Sequence, residues 1–546
     1  VSRIAASYRG AAGAAIAAAL AVAALAAAPA GAPPAPAGPA RAGDAAGDFR
    51  AAVREALSRE RDPAALRAHV SESVVEIAGE PSGRVRVVAT REPRALREEG
   101  EIAGVRQVVT LLGDEGWIED ANGTVRPLSG DELFGAVLSH ALLFHDYLER
   151  DELTWTERGE TRHAALEWSD QVLFLRTDRG PPARLRFGAG GLPRELSQAI
   201  EGGMSTVSYR DWRPAGGVRW PFTSRQTTGD ARFDLTLRTT SAAYPDELPP
   251  DMVPRPVPRS AADYAFTDSD SARDIAAERA GALLLVPVRV NGRAASFLLD
   301  TGAGATVLDA ALADELGLER RGLVQARGAA GHDAATFVTV ERLELPGVVL
   351  RGQTVVALDL AAVAAVLDRD VDGVLGYDFL SRFAVRLDYP AARIGLWPSG
   401  AYPPDSGAVR VPLRIESNVP RVDGVLNGTH RGSFLLDTGN SSPLLLHSPF
   451  VREHGLRGDG GGSFRVSGVG GDDSMESVSV DSLRIGDRVF TEVTALLARV
   501  ETGAVALHGS IGNVGGALFQ DEVLAFDYSA ASLWIAPATA ASASPR

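Results

Sequence analysis

The chain contains no cysteine. Disulfides, thiolate nucleophiles, zinc ribbons, iron–sulfur clusters and a lipid-anchoring cysteine are thereby excluded. Lysine is missing too: all 55 basic residues are arginine, which with the many alanines suggests a GC-rich bacterial genome. Basic charge is in deficit, and a net charge of −15 argues against nucleic acid as a partner and disfavours docking on anionic headgroups. After the N-terminus no apolar run is long enough to span a bilayer. Several catalytic signatures are also missing. There is no His-Glu-x-x-His, and His140 and His145 sit on different faces of an expected helix. Ser510 lacks the Gly-x-Ser-x-Gly frame because His508 takes the first glycine position. Gly322–Gly331 has no lysine for a phosphate loop, and Asp368, Asp370 and Asp372 read as a solvated loop rather than a calcium site.

What remains is the composition of a folded protein, 45% apolar and 23% charged, in 546 residues, which is too long for one core. Arg3 and Arg9 precede an alanine-rich run from Ala11 to Ala28, and Ala28-Pro29-Ala30 has the small residues of a cleavage site. Residues 1–30 are therefore expected to be an export signal, with an uncleaved anchor as the alternative, and the location periplasmic or secreted. Residues 31–45 read as a flexible leader rich in Ala, Pro and Gly.

An N-terminal domain is expected over 46–245. Asp48–His69 has helical spacing, and Leu133–Leu148 a second helix. Between and after them lie strand patterns at Val74–Ile77, Arg84–Thr90, Val105–Leu112, Ala164–Trp168, Gln171–Thr177, Ala183–Phe187, Thr206–Trp212 and Arg232–Thr239. Residues 246–274, which follow Pro245 and open with five prolines from Pro249 to Pro258, read as a semi-rigid linker. A short tail is expected at 541–546.

Beyond the linker the sequence repeats. Ser-Phe-Leu-Leu-Asp-Thr-Gly occurs at 296–302 and again at 433–439. Each copy follows a hairpin pattern turning at Asn-Gly, at Asn291-Gly292 and at Asn427-Gly428. Gly373-Val374-Leu375-Gly376 is matched here to Gly509-Ser510-Ile511-Gly512. Leu387-Asp388-Tyr389 then matches Phe526-Asp527-Tyr528. Residues 275–400 and 401–540 are thus two copies of one β-rich unit. In each, a short buried strand delivers an aspartate, Asp300 or Asp437, to its mouth. Gly302 and Gly439 permit the tight turns that follow. Packed about a pseudo-two-fold axis, the two carboxylates would share a proton, one activating water and the other protonating a carbonyl oxygen. No metal or cofactor is required. Asp388 and Asp527 read as strand-end turn residues instead.

These frames resemble the aspartic protease superfamily over residues 280–540. Asp300-Thr301-Gly302-Ala303 is similar to the retroviral type, Asp437-Thr438-Gly439-Asn440-Ser441 is nearer the pepsin type, and Asp372–Leu380 resembles the bacterial retropepsin-like group. The resemblance implies a mainly β, bilobal pair of β-barrels and peptide-bond hydrolysis of a peptide or protein substrate. It implies catalytic Asp300 and Asp437, with Thr301 and Thr438 bracing the two loops. Both aspartates lie in one chain, so the site should form within a monomer. By position it puts flap tips at Gly328 and Gly331 in the first lobe and at Gly468 and Gly470 in the second. No Tyr stands at the first tip, and Ser510 stands where an apolar residue is expected. One Asp-Thr-Gly alone would read as a surface turn. Two in identical frames favour the enzyme over the alternative, a duplicated β-domain that binds peptide or lipid without turnover. The N-terminal domain resembles lipoprotein-carrier-like half-barrels through Gly116-Trp117-Ile118, Tyr209-Arg210-Asp211-Trp212 and Val218-Arg219-Trp220-Pro221. That implies an α+β curved sheet around a helix and an apolar ligand, although its Trp residues serve equally as core.

Overall fold

The structure, a computed structural model, describes residues 43–177, 182–200, 203–258, 263–328, 332–460, 463–468, 471–500, 503–507 and 509–538. The expected export signal, the leader up to residue 42 and the tail lie outside them. Among the described residues no helix is long and apolar enough to cross a membrane. The chain divides into two compact units near Val257.

The first unit is one sheet of fourteen strands running from Ala68–Ile77 to Leu235–Ala243. The first and last of these strands pair with each other, and the sheet's edges are Val125–Pro127 and Glu152–Glu157. The helix α2 (Asp131–Leu143) connects the two edges and packs on strands from both sides, with ten of its 13 residues buried. Its near-uniform burial explains why its sequence is apolar on almost every face. The preceding helix α1 (Gly43–Leu57) starts earlier and stops sooner than the spacing over Asp48–His69 predicts. Pro63 cannot continue a helix, and Asp62 accepts the Ala64 N–H at 2.8 Å to start a separate turn, so His69 falls on a strand. Likewise the expected helix Leu133–Leu148 ends at Leu143, and His145 takes a left-handed φ of 54°.

Trp212 and Trp220, with Tyr209, Tyr147 and His145, line a cavity of about 30 Å³ in this unit. That is room for a water molecule or two, not for a lipid.

Four buried titratable groups give this unit a stability optimum. Burial pushes the Glu98 carboxyl up to about 8, against a Ser139 hydrogen bond. The folded unit therefore keeps a proton that the unfolded chain releases, and that stability fades as pH rises toward 8. Burial also pushes His69 and His145 down to about 3 and His140 to about 4. They stay neutral in the folded unit while the unfolded chain binds protons below about pH 6.5, so their contribution is lost as pH falls. Maximum stability is expected at about pH 6–7. Trp117, Trp155, Trp168, Trp212 and Trp220 all lie in this unit and only Trp397 and Trp534 elsewhere, so tryptophan fluorescence during heating reads it. Glu98→Gln should flatten the alkaline fall. A midpoint that keeps rising from pH 7 to 9 would contradict the assignment.

The second unit holds the repeat. In its first lobe, β1 (Leu283–Val290) and β2 (Arg293–Leu299) form the expected hairpin, with Asn291 at φ 50° and Gly292 at φ 89°. The left-handed pair is the turn that suits the strand twist. Then come β3 (Val307–Asp309), helix α3 (Ala310–Glu315), β4 (Arg321–Arg327), β5 (His332–Leu345), β6 (Val348–Leu358) and β7 (Gly373–Leu375). The ring β1-β2-β7-β3-β6-β5 closes on itself as a barrel. The second lobe has β8 (Val419–Leu426), β9 (His430–Asp437), β10 (Leu444–Leu446), helix α4 (Ser448–Glu453), β11 (Ser463–Gly468), β12 (Gly471–Ile485), β13 (Arg488–Leu497) and β14 (Gly512–Gly515). Its ring β8-β9-β14-β10-β13-β12 closes in the same order.

A six-stranded sheet joins the lobes. At its centre Phe383–Asp388 pairs antiparallel with Glu522–Asp527, Arg386 opposite Ala525. The outer strands are Ala272–Ala276 and Val409–Pro412. One apolar core, including Phe297, Phe383, Phe434 and Phe526, runs through both lobes and this sheet. Residues assigned to the linker take part: Tyr264–Phe266 pairs with β6, and Ala272–Ala276 with Arg393–Pro398. Asp388 and Asp527 cap strand-end turns, accepting from the N–H groups of Ala391 and Ala530 at 3.0 and 3.1 Å.

Candidate active site

Each lobe presents its Asp-Thr-Gly loop at the end of a buried strand, Asp300 after β2 and Asp437 at the end of β9. β2 runs parallel to β7, Leu299 beside Leu375, and β9 runs parallel to β14, Asp437 beside Gly515. These neighbours correct the sequence alignment. Phe297 pairs with Gly373 and Phe434 with Gly512, so Gly373–Gly376 corresponds to Gly512-Asn513-Val514-Gly515. Both tetrapeptides of the second lobe, 509–512 and 512–515, have glycine at each end, and the apolar Ile511 favoured the wrong one. Ser510 is outside the motif; its hydroxyl donates to the Ser433 carbonyl at 3.0 Å. Gly376 and Gly515 lie under the loops, where a Cβ would collide with the carbonyls of Ala303 and Ala305 or of Asn440 and Ser442.

The two loops grip each other reciprocally. The Thr301 hydroxyl donates to the Leu436 carbonyl at 2.8 Å and accepts the Thr438 N–H at 3.0 Å. The Thr438 hydroxyl donates to the Leu299 carbonyl at 3.1 Å and accepts the Thr301 N–H at 3.0 Å. Asp300 Oδ1 accepts from Gly302 in its own loop at 2.7 Å and from Gly439 in the other at 3.1 Å. Gly302 and Gly439 do not need a left-handed backbone here. A Cβ on Gly302 would lie 2.7 Å from Asp437 Cγ and 3.1 Å from Asp300 Oδ1, and one on Gly439 would strike the Asp300 carboxylate. Both carboxylates therefore converge on one small space, and the glycines leave it open.

Asp300, Thr301, Asp437 and Thr438 are all buried. Beneath them sit Tyr389 and Tyr528, matching residues of the two repeats, whose hydroxyls burial pushes well above the usual tyrosine range; the charge of Asp300 adds to both. Asp378, which sequence reasoning passed over, accepts the Thr306 N–H at 2.7 Å, and Thr306 Oγ1 accepts from Gly376. Burial pushes its carboxyl up, against the Thr306 hydrogen bond.

The family model described as Aspartyl protease matches residues 286–379 and again 422–514. The two lobes belong to the aspartyl protease superfamily. Among solved structures, the aspartic proteinase from Irpex lacteus is similar at 14% identity, the match covering 50% of this chain and 100% of that one with a TM-score of 0.34. No curated protein matches the chain.

Of the flap positions expected in these protease lobes, Gly328 follows β4, and its carbonyl accepts the Ala504 N–H of the other lobe at 3.1 Å. Gly468 ends β11 and pairs with Gly471. Gly331 and Gly470 lie outside the described residues.

The cross-lobe grip makes a stability prediction. Thr301→Val removes a buried donor to Leu436 and strands the Thr438 N–H, so unfolding should become easier by about 2–3 kcal/mol. Thr301→Ser, which keeps the hydroxyl, should restore most of it. Denaturant midpoints of the three proteins decide, and equal midpoints for Val and wild type would refute the grip.

Proposed function

We propose that the protein is an aspartic endopeptidase in which Asp300 and Asp437 form one acid–base pair. The observation that carries this reading is the meeting of both carboxylates over Gly302 and Gly439. Two carboxyl groups so placed hold one proton between them, and their titrations belong to the pair. A water between them loses a proton to the ionised member as its oxygen attacks the scissile carbonyl carbon. The protonated member gives its proton to the carbonyl oxygen. The tetrahedral diol then collapses: one hydroxyl returns its proton to the ionised carboxylate, the C–N bond breaks as the amine nitrogen takes the proton held by the other carboxyl, and the acid and amine products leave with one proton again on the pair. The Thr grip contributes rigidity, since a displacement of about 1 Å at such a site costs about 10²-fold in rate. The substrate would be an extended peptide or an exposed segment of a protein. We also place the reaction outside the cytoplasm, on the export signal read at residues 1–30.

Digestion of a mixed peptide library from pH 3 to 8, read by mass spectrometry, tests the proposal. Discrete internal cuts are expected. A folded sample that leaves every peptide intact across that range would overturn it.

A further inference from the structure

The two lobes differ at one pair of positions directly behind the dyad. On β7 of the first lobe stands Val374; its counterpart on β14 is Asn513. At the head of α3 stands Asp309, whose carboxylate caps the helix by accepting from Ala311 at 3.0 Å and Leu312 at 3.3 Å. Its counterpart at the head of α4 is His447, which makes no side-chain cap. The imidazole turns inward instead. His447 Nε2 lies 2.8 Å from Asn513 Oδ1, and Asn513 Nδ2 donates to Asp437 Oδ2 at 3.1 Å. All three side chains are fully buried.

The chemistry fixes the direction of this chain. An ionised carboxylate only accepts, so the amide must face Asp437 with its NH₂ and His447 with its oxygen. His447 then carries a proton on Nε2 in either charge state. A donor whose own oxygen accepts a hydrogen bond is polarised and donates more strongly in a buried setting. An apolar strand residue, as in the first lobe, would suffice for packing alone. The paired replacement of Asp309 and Val374 by His447 and Asn513 gives up a helix cap and buries an amide that donates to Asp437.

We propose that Asn513 and His447 are positioning residues that hold Asp437 as the ionised, proton-accepting member of the pair. This rests on the protease reading above. The groups facing Asp437 are Asp300, His447, Tyr389 with Arg279 beside it, and Tyr528 facing Asp300. The tyrosines stay neutral through the acid range.

The test is kcat/KM against pH for the full chain and for Asn513→Val, His447→Leu and His447→Gln, on a peptide the wild type cuts. A hydrogen bond to a charged group favours ionisation, so removing it in Asn513→Val should move the acid limb up by about one to two pH units. His447→Leu should move it the same way by less, and His447→Gln, which keeps an N–H at similar reach, should bring it back. An acid limb unchanged in a folded Asn513→Val variant overturns the proposal. Should that variant not fold, the Leu and Gln variants decide, and identical limbs in the two overturn it. Should the wild type cut nothing, the protease reading fails separately. The carboxyl ¹³C titration of Asp437, assigned with Asp437→Asn, then decides: a raised step in Asn513→Val supports the relay and an unmoved one overturns it.

Discussion

Asp300→Asn and Asp437→Asn should each lower kcat/KM by about 10³-fold or more while leaving the fold in place. Asparagine matches the carboxylate in shape, so the Gly302 and Gly439 N–H groups that Asp300 accepts from keep an oxygen to bond. What is lost is the shared proton. With either residue neutralised, water has no base or the carbonyl no acid, and the remaining carboxyl cannot do both jobs. The doubly substituted protein should therefore be hardly worse than either single variant, because groups that act as one unit are not additive. Losses that multiply in the double variant would mean that the two carboxylates work independently. Thermal unfolding of all three variants guards against misreading a folding defect as a catalytic one.

The second large effect concerns a segment that composition assigns to the linker. Asp263 receives the Arg382 guanidinium at 3.0 and 3.2 Å and the Gln353 amide at 3.0 Å, and its carbonyl accepts from Arg351 at 2.8 Å. The Arg382 side chain is 1% exposed and that of Asp263 19%. Asp263→Ala leaves the Arg382 charge inside the protein without this carboxylate. Breaking one side of such a pair costs about 3–5 kcal/mol. The unfolding midpoint of the second unit should fall by about 10 °C, and the added Arg382→Met change should recover part of the loss. A midpoint within a degree or two of wild type would show that the segment is only a tether.

Much of this architecture could be read before the structure. The Asn-Gly turns announced both hairpins because only a left-handed pair joins twisted strands so tightly. The repeated heptapeptide located both aspartates and implied an internal two-fold. Other features were hidden for physical reasons. Tyr264–Phe266 and Ala272–Ala276 are short strands in polar, proline-rich surroundings, and they are strands because β6 and Arg393–Pro398 offer edges to pair with. Helical spacing carried α1 too far, since Leu66 fits the period but lies beyond Pro63. The glycine frame was misplaced by three residues in the second lobe because an apolar pair was sought. The true pair contains Asn513, and a buried amide has no periodicity to betray it. Nothing in the local sequence links His447 to Asp437; the parallel register of β9 and β14 sets Asn513 beside Asp437, and the antiparallel pairing of β10 with β14 brings His447 to Asn513.

The most direct test of the account is calorimetric binding of a non-cleavable peptide mimic. It would carry a hydroxyl in place of the scissile carbonyl and be built on the cut sites found by digestion. A dyad sharing one proton should hold that hydroxyl between both carboxyls. Wild type should therefore bind it at least about 10²-fold more tightly than either Asp300→Asn or Asp437→Asn. Wild-type affinity in either variant would contradict the claim that the two aspartates form one site.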